Sequence, residues 1–260
     1  MDIGNPIFFN MSGIYQKQEF YQEAVRNNAY VVQGTAMKGT DCYCDDEAVR
    51  RLEEAIKKHS PKGIHYIDSG NYHYISYLWL KKIEMPFELI LFDHHPDMQH
   101  SLFGDILSCG GWVENALKSC SGLKRVLCIG VNEQLLKEEI ISSGNVTFLS
   151  KQQLEQENLC SVIEQWLSMK DHVVKELPVY ISIDKDVLSE EVVKTNWDQG
   201  TMQMETLLTA LQCIFGKRKV IGVDICGEPL NDEKVSEEEL KKSSMVNSQF
   251  MHFINNLEKN

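Results

Sequence analysis

An α/β fold on a parallel sheet is predicted by three features of this 260-residue chain. Short apolar runs alternate with amphipathic helical patterns, the signature of β-α units. Runs such as Glu88-Leu89-Ile90-Leu91-Phe92 lack a polar and apolar alternation, as expected of strands covered on both faces. Acidic clusters follow these runs, at the strand ends where open parallel sheets bind ligands.

Strands are read at Ala29–Gln33, Gly63–Asp68, Glu88–Asp93, Arg125–Val131, Val146–Leu149, Pro178–Asp184 and Lys219–Ile225. Helical spacing of apolar residues fills the intervals at Asp45–His59, His73–Ile83, Gly111–Lys118, Glu133–Ser142, Gln152–Met169, Met204–Phe215 and Glu237–Leu257. The last of these has an apolar stripe of Met245, Phe250, Met251, Phe253, Ile254 and Leu257, read as core packing ahead of a subunit interface. No repeat, low-complexity tract or long linker divides the chain, and residues 1–260 are read as one domain.

A hydrophobic content of 43% suits a globular protein, and a net charge of −12 argues against nucleic acid as a partner. There is no basic start followed by an apolar run, and no stretch approaches the roughly 20 apolar residues of a membrane span. A cytoplasmic protein with no membrane partner is expected. Its eight cysteines are then reduced thiols, with Cys128 and Cys226 as small core residues and Cys42 and Cys44 as loop thiols.

The chemistry concentrates in two clusters. In Asp93-His94-His95-Pro96-Asp97, three metal-ligand side chains recur at period two, so an extended chain would turn Asp93, His95 and Asp97 to one face and His94 to the other. Ser182-Ile183-Asp184-Lys185-Asp186 repeats the pattern with Asp184 and Asp186. Further acids follow other strands, from Asp68 to His73 and from Asp224 to Glu228. Carboxylates crowded at one rim repel one another unless a cation compensates them. With His73, the set holds four carboxylates and two imidazoles, which suits Mn²⁺, Fe²⁺ or Zn²⁺ better than copper(I), Mg²⁺ or Ca²⁺. Six ligands exceed one tetrahedral ion; two divalent ions about 3.5 Å apart would use them all.

Three blocks resemble the ureohydrolase superfamily of arginase, agmatinase and formiminoglutamase, over about Gly63 to Pro229. Gly70-Asn71-Tyr72-His73 is similar to its Gly-Gly-Asp-His block, Asp93-His94-His95-Pro96-Asp97 to Asp-Ala-His-x-Asp, and Ser182-Ile183-Asp184-Lys185-Asp186 to Ser-x-Asp-x-Asp. The resemblance implies an arginase-like three-layer α/β/α sandwich with a mainly parallel sheet of about eight strands, two Mn²⁺ ions per chain, a small-molecule substrate and a possible homo-oligomer. It further implies that Asp93 and Asp184 bridge the ions, His73 and Asp97 complete one site, and His95 and Asp186 the other. Asp97 would also orient a metal-bridging hydroxide and pass a proton to the leaving amine.

The chain departs from this family at four places. Tyr72 replaces the usual Asp before the first His, so His73 needs support from elsewhere. The stretch Leu107–Trp112 lacks the histidine that relatives carry there, and Cys109 stands in its place. The guanidinium-binding Glu should lie three residues after Asp224, where this chain has Gly227, with Glu228 one residue late. Trp197, in Asn196–Met202, would take a place near the pocket floor, and Gly39–Asp46 is a candidate substrate loop. Glu228, Cys109 and Trp197 are the candidate substrate contacts.

These features point to a binuclear manganese-dependent hydrolase that cleaves a non-peptide carbon-nitrogen bond of a small guanidino- or amidine-type substrate. The rival readings are an inactive metal- or ligand-binding member of the fold and a deacetylase-like metal amidohydrolase, which typically uses one zinc.

Overall fold

A computed structural model describes residues 5–100, 104, 106–136, 144–156, 158–169, 176–232 and 234–257. Its centre is an eight-stranded sheet of β1 (Ile7–Asn10), β2 (Tyr30–Gln33), β4 (Gly63–Tyr66), β5 (Phe87–Phe92), β7 (Leu123–Val131), β8 (Val146–Ser150), β9 (Val179–Asp184) and β10 (Val220–Cys226). The spatial order is β2-β1-β4-β10-β9-β5-β7-β8, and every pairing is parallel. The short strands β3 (Tyr43–Cys44) and β6 (Leu107–Ser108) form a separate antiparallel pair.

Helices cover both faces, as the non-alternating strands require. On one side α1 (Glu19–Arg26), α6 (Leu159–Ser168), α7 (Met204–Lys217) and α8 (Glu237–Leu257) pack on Phe8, Tyr66, Ile90, Phe92, Ile129 and Ile181. On the other, α2 (Asp46–Ile56), α3 (Ile75–Leu80) and α4 (Trp112–Ser119) pack on Phe9, Leu89, Leu91, Val126, Cys128 and Tyr180. Successive residues of β5 thus feed opposite cores, Leu89 and Leu91 one, Ile90 and Phe92 the other. The result is a three-layer α/β/α sandwich. In α8, Phe250 and Ile254 are fully buried while Met245 points to solvent, so the predicted stripe is mainly core. Among the described residues, no helix is long and apolar enough to cross a membrane.

The seven predicted strands are all present, with bounds shifted by a residue or two. Two elements before them are additional: β1, wedged between β2 and β4, and α1. Predicted helix Gln152–Met169 is two helices, α5 (Lys151–Gln156) and α6, because the Asn158 side chain accepts from the Ser161 N–H and starts a new helix. In the predicted helix Glu133–Ser142, Glu133–Leu135 is a single 3-10 turn, and residues 137–142 lie outside the described residues.

Register places β4, β10, β9 and β5 side by side, with Cys226 opposite Asp184, Ile225 opposite Tyr66 and Phe92 opposite Ile183. Their carboxyl ends therefore form one continuous ledge. Beneath it, Lys185, which lies between Asp184 and Asp186 in sequence, turns away from them and donates from Nζ to Glu228 Oε1 (2.5 Å), Ser243 Oγ (3.0 Å) and Asn247 Oδ1 (3.1 Å). Gln18, Ser243 and Asn247 also donate to Glu228, so this buried pair ties β9, β10, α1 and α8 together.

Removing one partner of a buried ion pair strands the other charge. Lys185→Met is expected to lower unfolding stability by about 3–5 kcal/mol in urea titration, with part of the loss recovered in Lys185→Met/Glu228→Leu. A loss below about 1 kcal/mol in the single variant would contradict this role for the pair.

Candidate metal centre

Chain β5 ends at Phe92, and the ligand cluster begins where the strand stops. The flat period-two strand envisaged for Asp93, His95 and Asp97 is replaced by a bend. Asp93 Oδ1 accepts from the His95 N–H (2.6 Å), Asp186 Oδ1 accepts from the His94 N–H (3.0 Å), and Asp97 adopts a left-handed φ of 48°. The three side chains still converge, because the bend is held by carboxylates of the cluster itself. At the end of β9, Asp184 Oδ1 accepts from the Asp186 N–H (2.9 Å) and fixes a matching turn.

His73 arrives from the segment after β4. Its Nδ1 lies 3.0 Å from Asp97 Oδ2, 3.2 Å from Asp93 Oδ2 and 3.6 Å from Asp184 Oδ2. The other nitrogen, Nε2, is 2.9 Å from Ser182 Oγ, which in turn is 3.2 Å from Ser76 Oγ. Ser182 therefore supplies the support that Tyr72 cannot, by fixing the ring so that Nδ1 faces the carboxylates. His95 is oriented in the same way: Nδ1 lies 2.8 Å from Asp186 Oδ2 and 3.5 Å from Asp93 Oδ1, while Nε2 lies 3.0 Å from Asp198 Oδ1. The His94 ring is buried and belongs to none of the groups of ligand atoms.

The six predicted ligands thus come together. Ligand atoms of His73, Asp93 and Asp97 lie within 4.8 Å of one another, as do those of Asp93, His95 and Asp186; Asp93 is common to both. Asp184 groups with His73 and with Cys226. Burial pushes the carboxyls of Asp97 and Asp184 upward, and burial together with Asp93 raises Asp186 to about 7. Burial opposes charge on both imidazoles, yet Cys226 and the carboxylates outweigh it at His73, and Asp186 and Asp93 at His95, so both are raised. Two imidazolium groups balance only half of four carboxylates, whereas two divalent cations balance all of them. The donor set fits such ions in number, chemistry and spacing.

A cavity of about 300 Å³ opens over the cluster, with Cys42, Tyr43, Gln99, His100, Cys109 and Trp197 around its mouth. Pairing of Tyr43 with Ser108, and a hydrogen bond from the Cys109 N–H to the Cys42 carbonyl (2.9 Å), join the predicted substrate loop to the segment before α4. The Cys42 and Cys109 thiols also interact, which lowers the first and raises the second. Trp197 is a wall of the cavity, 37% exposed, and not its floor. Its indole donates to Asn71 Oδ1 (3.0 Å), and it closes on Gly70, where a Cβ would meet it at 2.8 Å.

Glu228 does not reach the cavity. Gly227, at φ 91°, breaks the extended chain and sends Glu228 into the Lys185 network. A Cβ at Gly227 would lie 2.5 Å from Asp184 Oδ1 and 2.8 Å from the Lys185 nitrogen, so no carboxylate can replace it there. Two other acids read as part of the rim are structural. Asp68 accepts from the N–H groups of Met11, Ser12 and Ser69, and Asp224 bonds His65 and Tyr180 within the sheet.

Three contributors lie outside the sequence motifs, Asp198, Cys226 and Trp112, and Ser182 lies within one without its bond to His73 being foreseen. The Trp112 indole donates to Asp97 Oδ2 at 2.6 Å, and its ring packs 4.9 Å from His73. An Asp following Trp197 was the available signal for Asp198. Trp112 depends on the fold of the loop before α4 and has none.

The raised pKa values set opposite pH responses. In metal-free protein the raised carboxyl of Asp186 costs stability progressively as pH rises from the ordinary carboxyl range to about 7, whereas the raised imidazoles contribute stability that is lost only at higher pH. Bound cations demand deprotonated ligands, so their affinity should fall as pH drops through the same range. Melting curves with and without Mn²⁺ should show these opposite trends, and parallel trends would contradict the assignment.

The family model for the arginase family matches residues 11–249. An uncharacterised protein of Thermotoga maritima is 28% identical over 250 residues, covering 94% of this chain and 90% of that protein. Among solved structures, proclavaminate amidino hydrolase from Streptomyces clavuligerus superposes with a TM-score of 0.69 at 12% identity, covering 95% of this chain and 90% of its own. A hypothetical agmatinase from Burkholderia thailandensis gives 0.66 at 16%, covering 98% and 87%. Arginase from Bacillus cereus gives 0.66 at 11%, covering 95% and 97%. The ligand cluster at the strand ends, the eight-stranded parallel sheet and the family match over most of its length agree: this chain belongs to the arginase family.

Proposed function

We propose that the chain is a binuclear metal-dependent hydrolase, with Mn²⁺ as its ions, cleaving a non-peptide carbon-nitrogen bond of a small guanidino- or amidine-type substrate. The observation that carries this reading is the pair of overlapping ligand groups sharing Asp93 at the base of a 300 Å³ cavity. His73, Asp93, Asp97 and Asp184 would hold one ion, and Asp93, His95, Asp184 and Asp186 the other. Two bound divalent ions supply Lewis-acid polarisation and a hydroxide nucleophile near neutral pH.

The protein's own groups position and move the proton. Trp112 occupies Asp97 Oδ2, so Oδ1 is the oxygen suited to carry a proton to the leaving nitrogen. Ser182 and Asp198 fix the two imidazoles, and the cavity mouth, with Trp197, Tyr43 and Cys109, holds the substrate's remaining atoms.

Gly227 favours a refinement of substrate. The carboxylate that would pair with a full guanidinium has no room there, which supports an amidine- or formimino-type group over arginine itself. The same observation keeps a deacylase in play as the second reading.

Elemental analysis after growth in manganese-supplemented medium should give close to two divalent ions per chain, with both lost in Asp93→Ala. One zinc ion per chain would favour the deacylase, and no metal after reconstitution would contradict the proposal. In a screen of guanidino, formimino and acylated-amine compounds, hydrolysis should be chelator-sensitive. Asp97→Asn, assayed with metal in excess so that both ions are bound, should slow it by about 10²-fold or more. An unchanged rate in that variant would remove Asp97 from proton transfer.

A further inference from the structure

Cys226 ends β10 directly opposite Asp184, and its side chain is 1% exposed. Its Sγ lies 3.0 Å from Asp184 Oδ2, and it also contacts the His73 ring. The ligand atoms of His73, Asp184 and Cys226 are all within 4.8 Å of one another, as compact a group as the two that contain Asp93. Two atoms that share one ion are separated by at most the sum of their bond lengths, about 2.3 Å for sulfur and about 2.0 Å for nitrogen or oxygen on zinc, so a modest adjustment brings the three onto one centre.

We propose that Cys226 donates sulfur to the ion held by His73 and Asp184, so that the two halves of the centre prefer different metals. This inference rests on the metal-centre reading above and replaces Mn²⁺ by a softer ion in one half of it. The His73 half offers nitrogen, oxygen and sulfur, whereas the group of Asp93, His95 and Asp186 offers nitrogen and oxygen alone. Sulfur favours Zn²⁺, Fe²⁺ or Co²⁺ over Mn²⁺, while the second half remains well suited to Mn²⁺. On coordination the S–H bond is replaced by a sulfur-metal bond, and the proton leaves to solvent; no oxidant is needed.

The position of Cys226 also explains why sulfur, and not a longer side chain, stands here. Gly227 packs on Asp184 and Lys185, and Glu228 is committed to Lys185, so the last strand presents a single short side chain to the ligands. A thiol reaches them from the strand end without displacing Asp184.

Cobalt provides the test. The chelator-stripped full-length chain is titrated with Co²⁺, following bound metal by elemental analysis and absorption in the near ultraviolet. A sulfur-to-cobalt charge-transfer band should grow to one equivalent, persist in His95→Ala, and disappear in Cys226→Ser. In a competition between equal Mn²⁺ and Co²⁺, cobalt should fill one half first. Cobalt bound without such a band, or a band retained in Cys226→Ser, would overturn the sulfur assignment while leaving the metal centre intact. Failure to bind cobalt at all would overturn both. Should Cys226→Ser fold poorly by circular dichroism, X-ray absorption of the wild-type zinc form decides the matter: a sulfur scatterer at about 2.3 Å is expected, and a shell of nitrogen and oxygen alone would contradict it.

Discussion

Mutual repulsion among four buried carboxylates is the constraint on which the carboxyl end of this sheet depends. Asp93, Asp97, Asp184 and Asp186 are each at least nine-tenths buried and meet within a few ångströms of His73 and His95. Desolvation raises the cost of each charge, and proximity raises it further. The surrounding structure answers with donors: the N–H groups of His94, His95 and Asp186, the Trp112 indole and the Cys226 thiol all point to these oxygens. Such donors orient the carboxylates but do not neutralise them, and divalent cations do both.

The fold makes that arrangement possible by separating its charges. Lys185 stands between two of the carboxylates in sequence, yet its ammonium is directed to Glu228 on the opposite side of the ledge. A cation delivered to the cavity there would compete with metal; delivered beneath it, the same group locks α8 and α1 against β9 and β10. Register does the rest. With Cys226 opposite Asp184 and Phe92 opposite Ile183, neighbouring strands end at one level and present their last residues to the same cavity.

Much of this was legible in the chain. The strand runs from Gly63 onward and the two Asp clusters announced a parallel sheet with ligands at its edge, because period and placement are local properties. Elements that depend on distant partners were not. Strand β1 is only Ile7–Asn10 and is recognisable chiefly by its place between β2 and β4. Glu228 was misread because the left-handed turn at Gly227 redirects it, and a one-residue change of direction moves a side chain to another layer. Cys226 looked like a core residue since its strand is apolar apart from Asp224; only pairing with β9 brings its sulfur to Asp184. Asp68 and Asp224 were indistinguishable by sequence from the acids that face the cavity, being the same side chain at a similar distance from strand ends.

The most direct test of the account is a crystal structure of the manganese-loaded protein, with anomalous scattering recorded at the manganese edge. Two anomalous peaks about 3.5 Å apart, both within bonding distance of Asp93 and one each beside His73 and His95, are expected. A single peak, or peaks away from these side chains, would contradict the claim that the buried carboxylates exist to hold a pair of cations.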